Sequence, residues 1–390
     1  MSLSAQPSAA ARPPTAPPPP ADGILEILPS GSGFLRTSAH GYQAADGDVF
    51  VSQSLIRRLG LRTGDRLQGT VGTPPGRGKS PPMDEVHVVN GLDPALARSR
   101  AEFGTLPATY PDERLKLEIV EAAPTRRDYT NRIIDLISPL GKGQRALIVA
   151  PAKAGKTTVL QAIMRGIHTN YPDAALMVLL VDERPEEVTE MQMLGIGEVI
   201  ASSFDCPAER HVNVAEMVLE HARRLVESGR DVVIVLDSLT RLARAYNTTE
   251  RGTGRMLSGG IDSGALEKPK RFFGSARKVR GGTGSLTIIA TALIDTGSRG
   301  DEVIFEEFKG TGNSEIVLDR TLADKRIFPA IDIEKSATRR EELLFPPEHL
   351  DKIYQLRRAL HSLGMEDAIQ LLTKQMNDTR TNDDLLAKLR

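Results

Sequence analysis

The segment Pro151-Ala152-Lys153-Ala154-Gly155-Lys156-Thr157-Thr158 closes on Gly-Lys-Thr, the end of the phosphate-binding pattern G-x-x-x-x-G-K-[ST]. An apolar stretch, Arg145–Ala150, leads into it and a helical one, Thr157–Thr169, leads out, which is the setting the pattern requires. In such a turn the backbone N–H groups and the helix N-terminus form a nest for a triphosphate. Lys156 would reach the β- and γ-phosphates, and the Thr157 hydroxyl would ligate Mg2+. Lys153 adds a second cation. Ala150 stands where the pattern has its first glycine, so ordinary β backbone is expected there, as a strand end permits. Two acids complete the chemistry. Asp237 ends the run Val232-Val233-Ile234-Val235-Leu236, which places a carboxylate near the Mg2+ as a Walker B group. Glu183 follows Leu179-Leu180-Val181-Asp182 and could orient and deprotonate an attacking water. Asp182, Glu186 and Glu187 lie close by, and spacing alone does not choose among them. Phosphoryl transfer also needs positive charge on the transition state, commonly an arginine from a neighbouring subunit. Residues 319–340 offer Arg320, Arg326, Arg339 and Arg340, again without a choice from pattern.

These groups need strands that end together. Apolar strands are expected at Arg145–Ala150, Leu176–Asp182, Asp231–Asp237 and Ser285–Thr291, separated by helical stretches such as Thr157–Thr169, Pro185–Met193 and Val212–Ser228. Near-continuous apolar strands alternating with helices imply an α/β domain, a mostly parallel sheet covered on both faces. Helices at Pro347–Leu360, Glu366–Met376 and Asp383–Leu389 close the chain, so this domain is assigned residues 129–390. Ahead of it the texture is all-β. Short segments at Ile24–Leu28, Gly33–Arg36, Asp48–Ser52, Arg66–Val71 and Glu85–Val89, with a small helix Gln53–Leu59 stopping at Gly60, suit a compact barrel of the OB or cold-shock type over residues 23–93. Residues 94–128, with Pro107, Pro111 and Pro124 and little periodicity, read as an extended connector. Residues 1–22, rich in Pro and Ala, read as a disordered tail.

Composition excludes several classes. With 390 residues, Lys+Arg 50 against Asp+Glu 51, the net charge of −1 argues against nucleic-acid binding by bulk charge, so such a site must be local. The single cysteine, Cys206, rules out an intramolecular disulfide framework and a Cys-built zinc finger, and it reads as structural. No apolar run is long enough to span a membrane and no secretory signal is visible, so a cytoplasmic location is expected. Aromatics are 4% with no Trp, which makes the position of each ring informative.

The strings VAPAKAGKTT, VDERPEEVTEMQ, DSLTRLARAYN, KPKRFFGSAR, TIIATALIDTGS, EEFKGTGN and TRREELL, together with GILEILPSGSGFLR and VSQSLIRRLGLRTGD, resemble the Rho family of bacterial transcription termination factors over residues 22–390. The resemblance implies a RecA-like P-loop ATPase behind an RNA-binding barrel. It implies a homohexameric ring that hydrolyses ATP with Mg2+, threads single-stranded RNA 5′ to 3′ and acts on the RNA polymerase elongation complex. By position it makes Lys153, Ala154, Gly155, Lys156, Thr157 and Thr158 the phosphate loop, Glu183 the catalytic base, Arg184 a γ-phosphate-responsive arginine and Asp237 the Walker B acid. Arg339 takes the place of the trans-acting arginine, Arg326 that of a second one, and Phe328 that of a ring stacking on adenine. Two loops, Gly252–Gly260 with Arg255 and Ser258, and Asp295–Arg299 with Arg299, would face RNA in the pore; Arg255 and Arg299 stand where the family usually has Lys. In the barrel, Phe34, Arg36, Asp48 and Phe50 match RNA-contacting positions. Ser32, and the stretch at Ser80, stand where the family usually carries a ring. The family's helical subdomain ahead of the barrel is replaced by the Pro-rich tail. Arg57, Arg58, Arg62 and Arg66 are read as a solvated face or as groups tracking the RNA backbone. The other readings are a different RecA-type hexameric nucleic-acid ATPase, or an RNA-binding protein whose nucleotide site is regulatory.

Overall fold

The computed structural model describes residues 19–74, 76, 79–120, 129–250, 257–282 and 284–389. The N-terminal unit contains β1 (Pro20–Ile27), β2 (Gly33–Arg36), β3 (Val49–Val51), α1 (Gln53–Leu59), β4 (Arg66–Val71) and β5 (Met83–Val89). Its antiparallel sheet runs β3-β2-β1-β4-β5. The ends curl toward each other: the Phe50 N–H donates to the Pro81 carbonyl at 2.8 Å, and Phe50 forms a bridge with Pro82. Alternation along the strands turns Leu25, Leu35, Val51, Leu67 and Val89 inward to one small core. Helix α1 starts on the Ser52 side chain, which accepts from Leu55 N–H, and stops at Gly60 in the left-handed conformation. The first strand begins at Pro20, so three residues read as tail belong to the sheet: Pro20, Ala21 and Asp22 pair with Thr70, Gly69 and Gln68.

The connector is more structured than its lack of periodicity suggests. It holds α2 (Pro94–Arg98), β6 (Ala108–Thr109) and β7 (Arg114–Leu115) before α3 (Thr130–Ile137) and β8 (Leu140–Gly141). Strand β7 pairs with β8. Short two-residue strands leave almost no pattern to read; their pairing is decided by the partners they meet.

The second unit follows with β9 (Arg145–Pro151), α4 (Lys156–Asn170), β10 (Ala175–Glu183), α5 (Pro185–Met193), β11 (Glu198–Ser203), α6 (Ala208–Glu227), β12 (Asp231–Asp237), α7 (Leu239–Thr249), α8 (Glu267–Gly274) and β13 (Arg277–Val279). After these come β14 (Ser285–Ile294), α9 (Arg299–Lys309), β15 (Ser314–Val317), α10 (Arg320–Asp324), β16 (Ala337–Thr338), α11 (Pro347–His361), α12 (Met365–Asn377) and α13 (Asn382–Lys388). The sheet order is β11-β10-β12-β14-β9-β15-β16, with β13 pairing β14 and β6. Neighbouring strands are parallel from β11 through β15. The expected mostly parallel sheet is therefore present. Apolar clusters fill both of its faces, one under α3, α4 and the C-terminal helices and one under α6 and α7. Two strands, β11 and β15, escape the sequence reading because each carries polar residues that break the apolar run (Glu198, Ser202; Ser314, Glu315).

The two units meet along α6. Gly64, at φ 91°, lies so close to the helix that an added Cβ would stand 2.4 Å from the Glu220 carbonyl carbon. His221 Nδ1 donates to the Gly64 carbonyl at 2.8 Å. Arg100 pairs with Asp65 at 2.5 Å and with the wholly buried Glu227 at 3.2 Å; Arg62 joins Glu227 at 3.1 Å. Arg62 thus closes a domain joint, and Arg66 pairs with Asp22 at 2.8 Å. Of the four basic positions near α1, only Arg57 and Arg58 remain as an exposed helical face.

Candidate nucleotide and RNA sites

Parallel packing brings the C-terminal ends of β9, β10, β12 and β14 to one edge of the sheet. Register sets the details. Ala150 is buried in β9 opposite Leu293, the β backbone expected where the pattern has glycine. The turn then passes through Lys153 (φ 64°) and Gly155 (φ 90°) into α4, whose first turn has no side-chain cap. Its leading N–H groups therefore face the loop, as an anion nest needs. Ala154 is buried beneath the loop, whereas Lys153 and Thr158 are exposed.

Lys156 Nζ lies 2.6 Å from Asp237 Oδ1 and 3.2 Å from Glu183 Oε1, so one ammonium bridges both acids named from sequence. Thr291, opposite Asp237 on β14, donates its hydroxyl to the same Oδ1 at 2.7 Å. Strand β10 shifts register between Val181 and Glu183, and Asp182 there takes φ 57°. This irregularity re-aims the strand end, and it separates the two acids that spacing could not: Glu183 is 2% exposed beside Lys156, while the Asp182 side chain is 36% exposed. Arg241, on the first turn of α7, spans both at 3.5 Å from Asp182 Oδ2 and 3.7 Å from Glu183 Oε2. Arg241 and Thr291 were not selected from sequence. Thr291 does carry a signal, a polar residue level with Asp237 within the apolar run Ile288–Ile294.

Burial and then the Asp237 charge push the Glu183 carboxyl up to about 8, with Lys156 and Arg241 pulling the other way and a Glu187 hydrogen bond adding to the rise. For Lys156, burial acts against the charged form, but the two carboxylates outweigh it and the net shift is upward. The sign for stability follows. A carboxyl whose pKa is raised on folding costs nothing below its ordinary value of 4.5 and its full amount above about 8. Glu183→Gln removes that cost. The nucleotide-free variant is expected to gain melting temperature over wild type as pH rises from about 5 to about 9, the two converging at the acid end; a difference constant with pH would exclude a raised Glu183.

The remaining nucleotide-site candidates divide by position. Arg184 is exposed at the start of α5, directly after Glu183. Phe328 is 51% exposed, and its ring passes 3.8 Å from where a Cβ on Gly155 would lie, so it stands over the phosphate loop. Arg326 (φ 60°) is exposed two residues before it, at the same edge of the sheet. Arg339 is not. Its N–H donates to Asn313, whose own N–H donates to Arg145 at the start of β9. Arg339 therefore sits at the edge opposite its own phosphate loop.

The fit to Mg2+ rests on donor chemistry. A Thr157 hydroxyl and an Asp237 carboxylate are hard oxygen donors of the type the ion prefers, and among the described residues no group of three or more His, Cys, Asp or Glu forms an all-protein cage. That is the donor set of an ion shared with substrate phosphates.

In the barrel, Phe34 and Phe50 are half-buried neighbours on β2 and β3, ring centroids 5.6 Å apart and edge to face. Arg36 lies over Phe34 at 5.1 Å. It is 6% exposed and engages Glu26 at 2.6 Å and Asp48; Asp48 also accepts from Ala45 N–H at 2.8 Å. Arg36 and Asp48 are thus brought together, but against each other, as a buried brace behind the rings. Removing Arg36 would strand the nearly buried Asp48 carboxylate at a cost of about 3–5 kcal/mol, whereas removing Asp48 leaves Arg36 its Glu26 partner. Ser32 bonds Ser30 at 2.9 Å and offers no ring. The two loops read as RNA-facing pack together: a Cβ on Gly259 would meet Gly300 N at 2.4 Å, with Ser258 and Arg299 both exposed beside the contact. Arg255 lies outside the described residues.

Residues 130–338 match the family model of the ATP synthase alpha/beta family, nucleotide-binding domain, and residues 21–95 that of the Rho termination factor, RNA-binding domain. Transcription termination factor Rho of Cereibacter sphaeroides is 55% identical over 361 residues, covering 93% of this chain and 85% of its own. The chain belongs to the Rho family. Rho of Escherichia coli strain K12 is 54% identical over 369 residues, covering 95% of this chain and 87% of its own; Rho of Gemmatimonas aurantiaca is 58% identical over 356, 91% of this chain but 48% of that longer protein. Beyond Rho, an ATPase from the type III secretion system of pathogenic bacteria shares the fold at TM-score 0.55 and 24% identity over 70% of this chain and 88% of its own. The assembled ATPase of the enteropathogenic E. coli type III secretion system does so at 0.56 and 21%, over 92% and 87%. The Rho-type barrel and the RecA-like sheet thus account for both units of the fold.

Proposed function

We propose that this protein is a transcription termination factor that works as an RNA-dependent ATPase, moving 5′ to 3′ along single-stranded RNA and releasing it from RNA polymerase. The observation that carries the reading is the Lys156 ammonium held between Glu183 and Asp237 at the mouth of a phosphate loop, in a chain whose other unit is a Rho RNA-binding domain. In this mechanism the α4 N-terminus and Lys156 hold the triphosphate of ATP, and Phe328 stacks on its base. Thr157 and Asp237 would hold a Mg2+ ion, which would supply charge neutralisation for the triphosphate. Lys156 reaches the phosphates without leaving Glu183, whose place is also held by Arg241 and the β10 irregularity. Glu183 then orients a water and takes its proton, a step suited to a carboxyl poised near neutrality. Arg184 responds to the γ-phosphate from the adjoining position. Arg339, remote from its own loop, serves the site of the next subunit in a homohexamer, and Arg326 acts at the shared edge. Ser258 and Arg299 meet RNA where the two loops join, and Arg255 is the third residue read as meeting it.

Steady-state ATP hydrolysis with and without RNA tests the reading: turnover should be low alone and rise strongly with RNA. Nucleotide binding without hydrolysis would favour a regulatory site instead. The barrel adds a finer expectation. Base stacking contributes about 1–3 kcal/mol per ring, and serines replace rings at Ser32 and Ser80. Oligo-C and oligo-A are therefore expected to bind the barrel with similar affinity, and a strong oligo-C preference would refute the loss of selectivity.

A further inference from the structure

Arg339 is anchored through its backbone to a small buried polar assembly. Its N–H donates to the Asn313 carbonyl at 2.9 Å, and Asn313 is 8% exposed. Gln144 Nε2 donates to that same carbonyl at 3.1 Å and to Asn313 Oδ1 at 2.8 Å. The Arg145 N–H donates to Oδ1 as well, at 2.8 Å. Gln144 is 1% exposed and fixed at its far end, where its Oε1 accepts from Gly141 N–H at 3.2 Å. The Arg145 guanidinium ties down the flanks, donating to the Thr311 carbonyl at 2.9 Å and the Ala276 carbonyl at 3.1 Å. On the residue before Arg339, the Thr338 hydroxyl donates to the Pro139 carbonyl at 2.8 Å.

The assembly holds a cation without offering it an acid. Among the described residues, Arg145, Arg277 and Arg339 form no ion pair, and burial followed by the charges of Arg277 and Arg339 pushes the Arg145 guanidinium below its ordinary value.

We propose that Asn313 and Gln144 are positioning residues for Arg339, setting the height and direction of the arginine presented to the neighbouring nucleotide site. The role rests on the reading of Arg339 as a trans-acting group. Its chemistry is specific. The Asn313 side chain acts here as an acceptor, through Oδ1, and its carbonyl accepts as well, whereas Gln144 acts toward Asn313 through its N–H donors alone. Two isosteric changes should then have opposite outcomes. Asn313→Asp keeps both acceptors, in a setting of unpaired cations, and should retain at least half of the RNA-stimulated kcat. Gln144→Glu loses both donors and should lower kcat by about 10- to 100-fold, with KM for ATP within about twofold of wild type. Asn313→Ala should do the same. In rings mixed with wild-type subunits, Gln144→Glu should depress activity more than in proportion, as is expected of Arg339→Ala, while the oligomer sediments unchanged.

The test is steady-state kinetics on these full-length variants plus the mixing series, with Arg339→Ala alongside. Wild-type kcat for Gln144→Glu and Asn313→Ala, while Arg339→Ala poisons mixed rings, would overturn the positioning role and leave the trans arginine standing. Equal loss for Asn313→Asp and Gln144→Glu would overturn it too. Strictly proportional activity for Arg339→Ala would remove the trans reading and this inference with it.

Discussion

Replacing Lys156 with alanine is expected to lower RNA-stimulated ATP turnover by at least about a hundredfold, the scale for loss of one transition-state donor at a preorganised oxyanion site. The geometry makes the loss double. The ammonium is the group that reaches both Asp237 Oδ1, at 2.6 Å, and Glu183 Oε1, at 3.2 Å. Without it, two buried carboxylates face each other with only Arg241 and Thr291 to offset them, and Glu183, already raised to about 8, rises further. The variant then lacks its phosphate contact and, near neutral pH, holds its base protonated. Raising the pH should recover only the second defect. Turnover measured between about pH 7 and pH 9 should climb more steeply in Lys156→Ala than in wild type yet stay far below it. RNA-stimulated turnover close to wild type would refute the motor mechanism.

How much of this was legible beforehand depends on the range of the signal. The phosphate loop, Glu183 and Asp237 are each announced locally, by a Gly-Lys-Thr at a strand-to-helix junction and by acids ending apolar runs. Helix α1 has the expected bounds, Gln53–Leu59, and its stop at Gly60 is likewise a local signal. What stayed hidden was decided by partners distant in sequence. Choosing Glu183 over Asp182 needed the β10 register shift. Arg36 and Asp48 match RNA-contacting positions, but that they also pair with each other depends on the β2–β3 register, which neither position announces. Arg62 reads as a surface cation until α6 brings Glu227 beneath it. Asn313 ends the segment EEFKGTGN, but nothing in that segment shows that its oxygen meets Gln144, far earlier in the chain.

Arg339→Ala is expected to lower turnover by about 10³–10⁵, the range for removal of an arginine acting in trans on phosphoryl transfer. The argument is one of reach. Arg339 is tied through Asn313 to the start of β9, while the phosphate loop follows its end. At about 3.3 Å per residue, the strand puts roughly 20 Å between them, beyond any arginine side chain. The residue also carries no ion pair among the described residues, so its charge is not consumed within the subunit. The change should therefore leave nucleotide affinity of isolated subunits nearly intact, in contrast to Lys156→Ala. Mixing separates the two further. If one defective junction stalls a six-membered ring, an equal mixture leaves roughly 2% of rings wholly wild type, so activity should fall far below half. Subunits carrying Arg339→Ala keep a sound phosphate loop and those carrying Lys156→Ala keep a sound arginine. If one defective junction stalls the ring, a mixture of the two stays inactive, because every ring in it keeps a defective junction; only if each junction fires alone would hydrolysis return where an intact loop meets an intact arginine. Recovery in that mixture together with poisoning of wild type cannot both arise, so the outcome also decides whether the subunits fire independently or in a strict sequence.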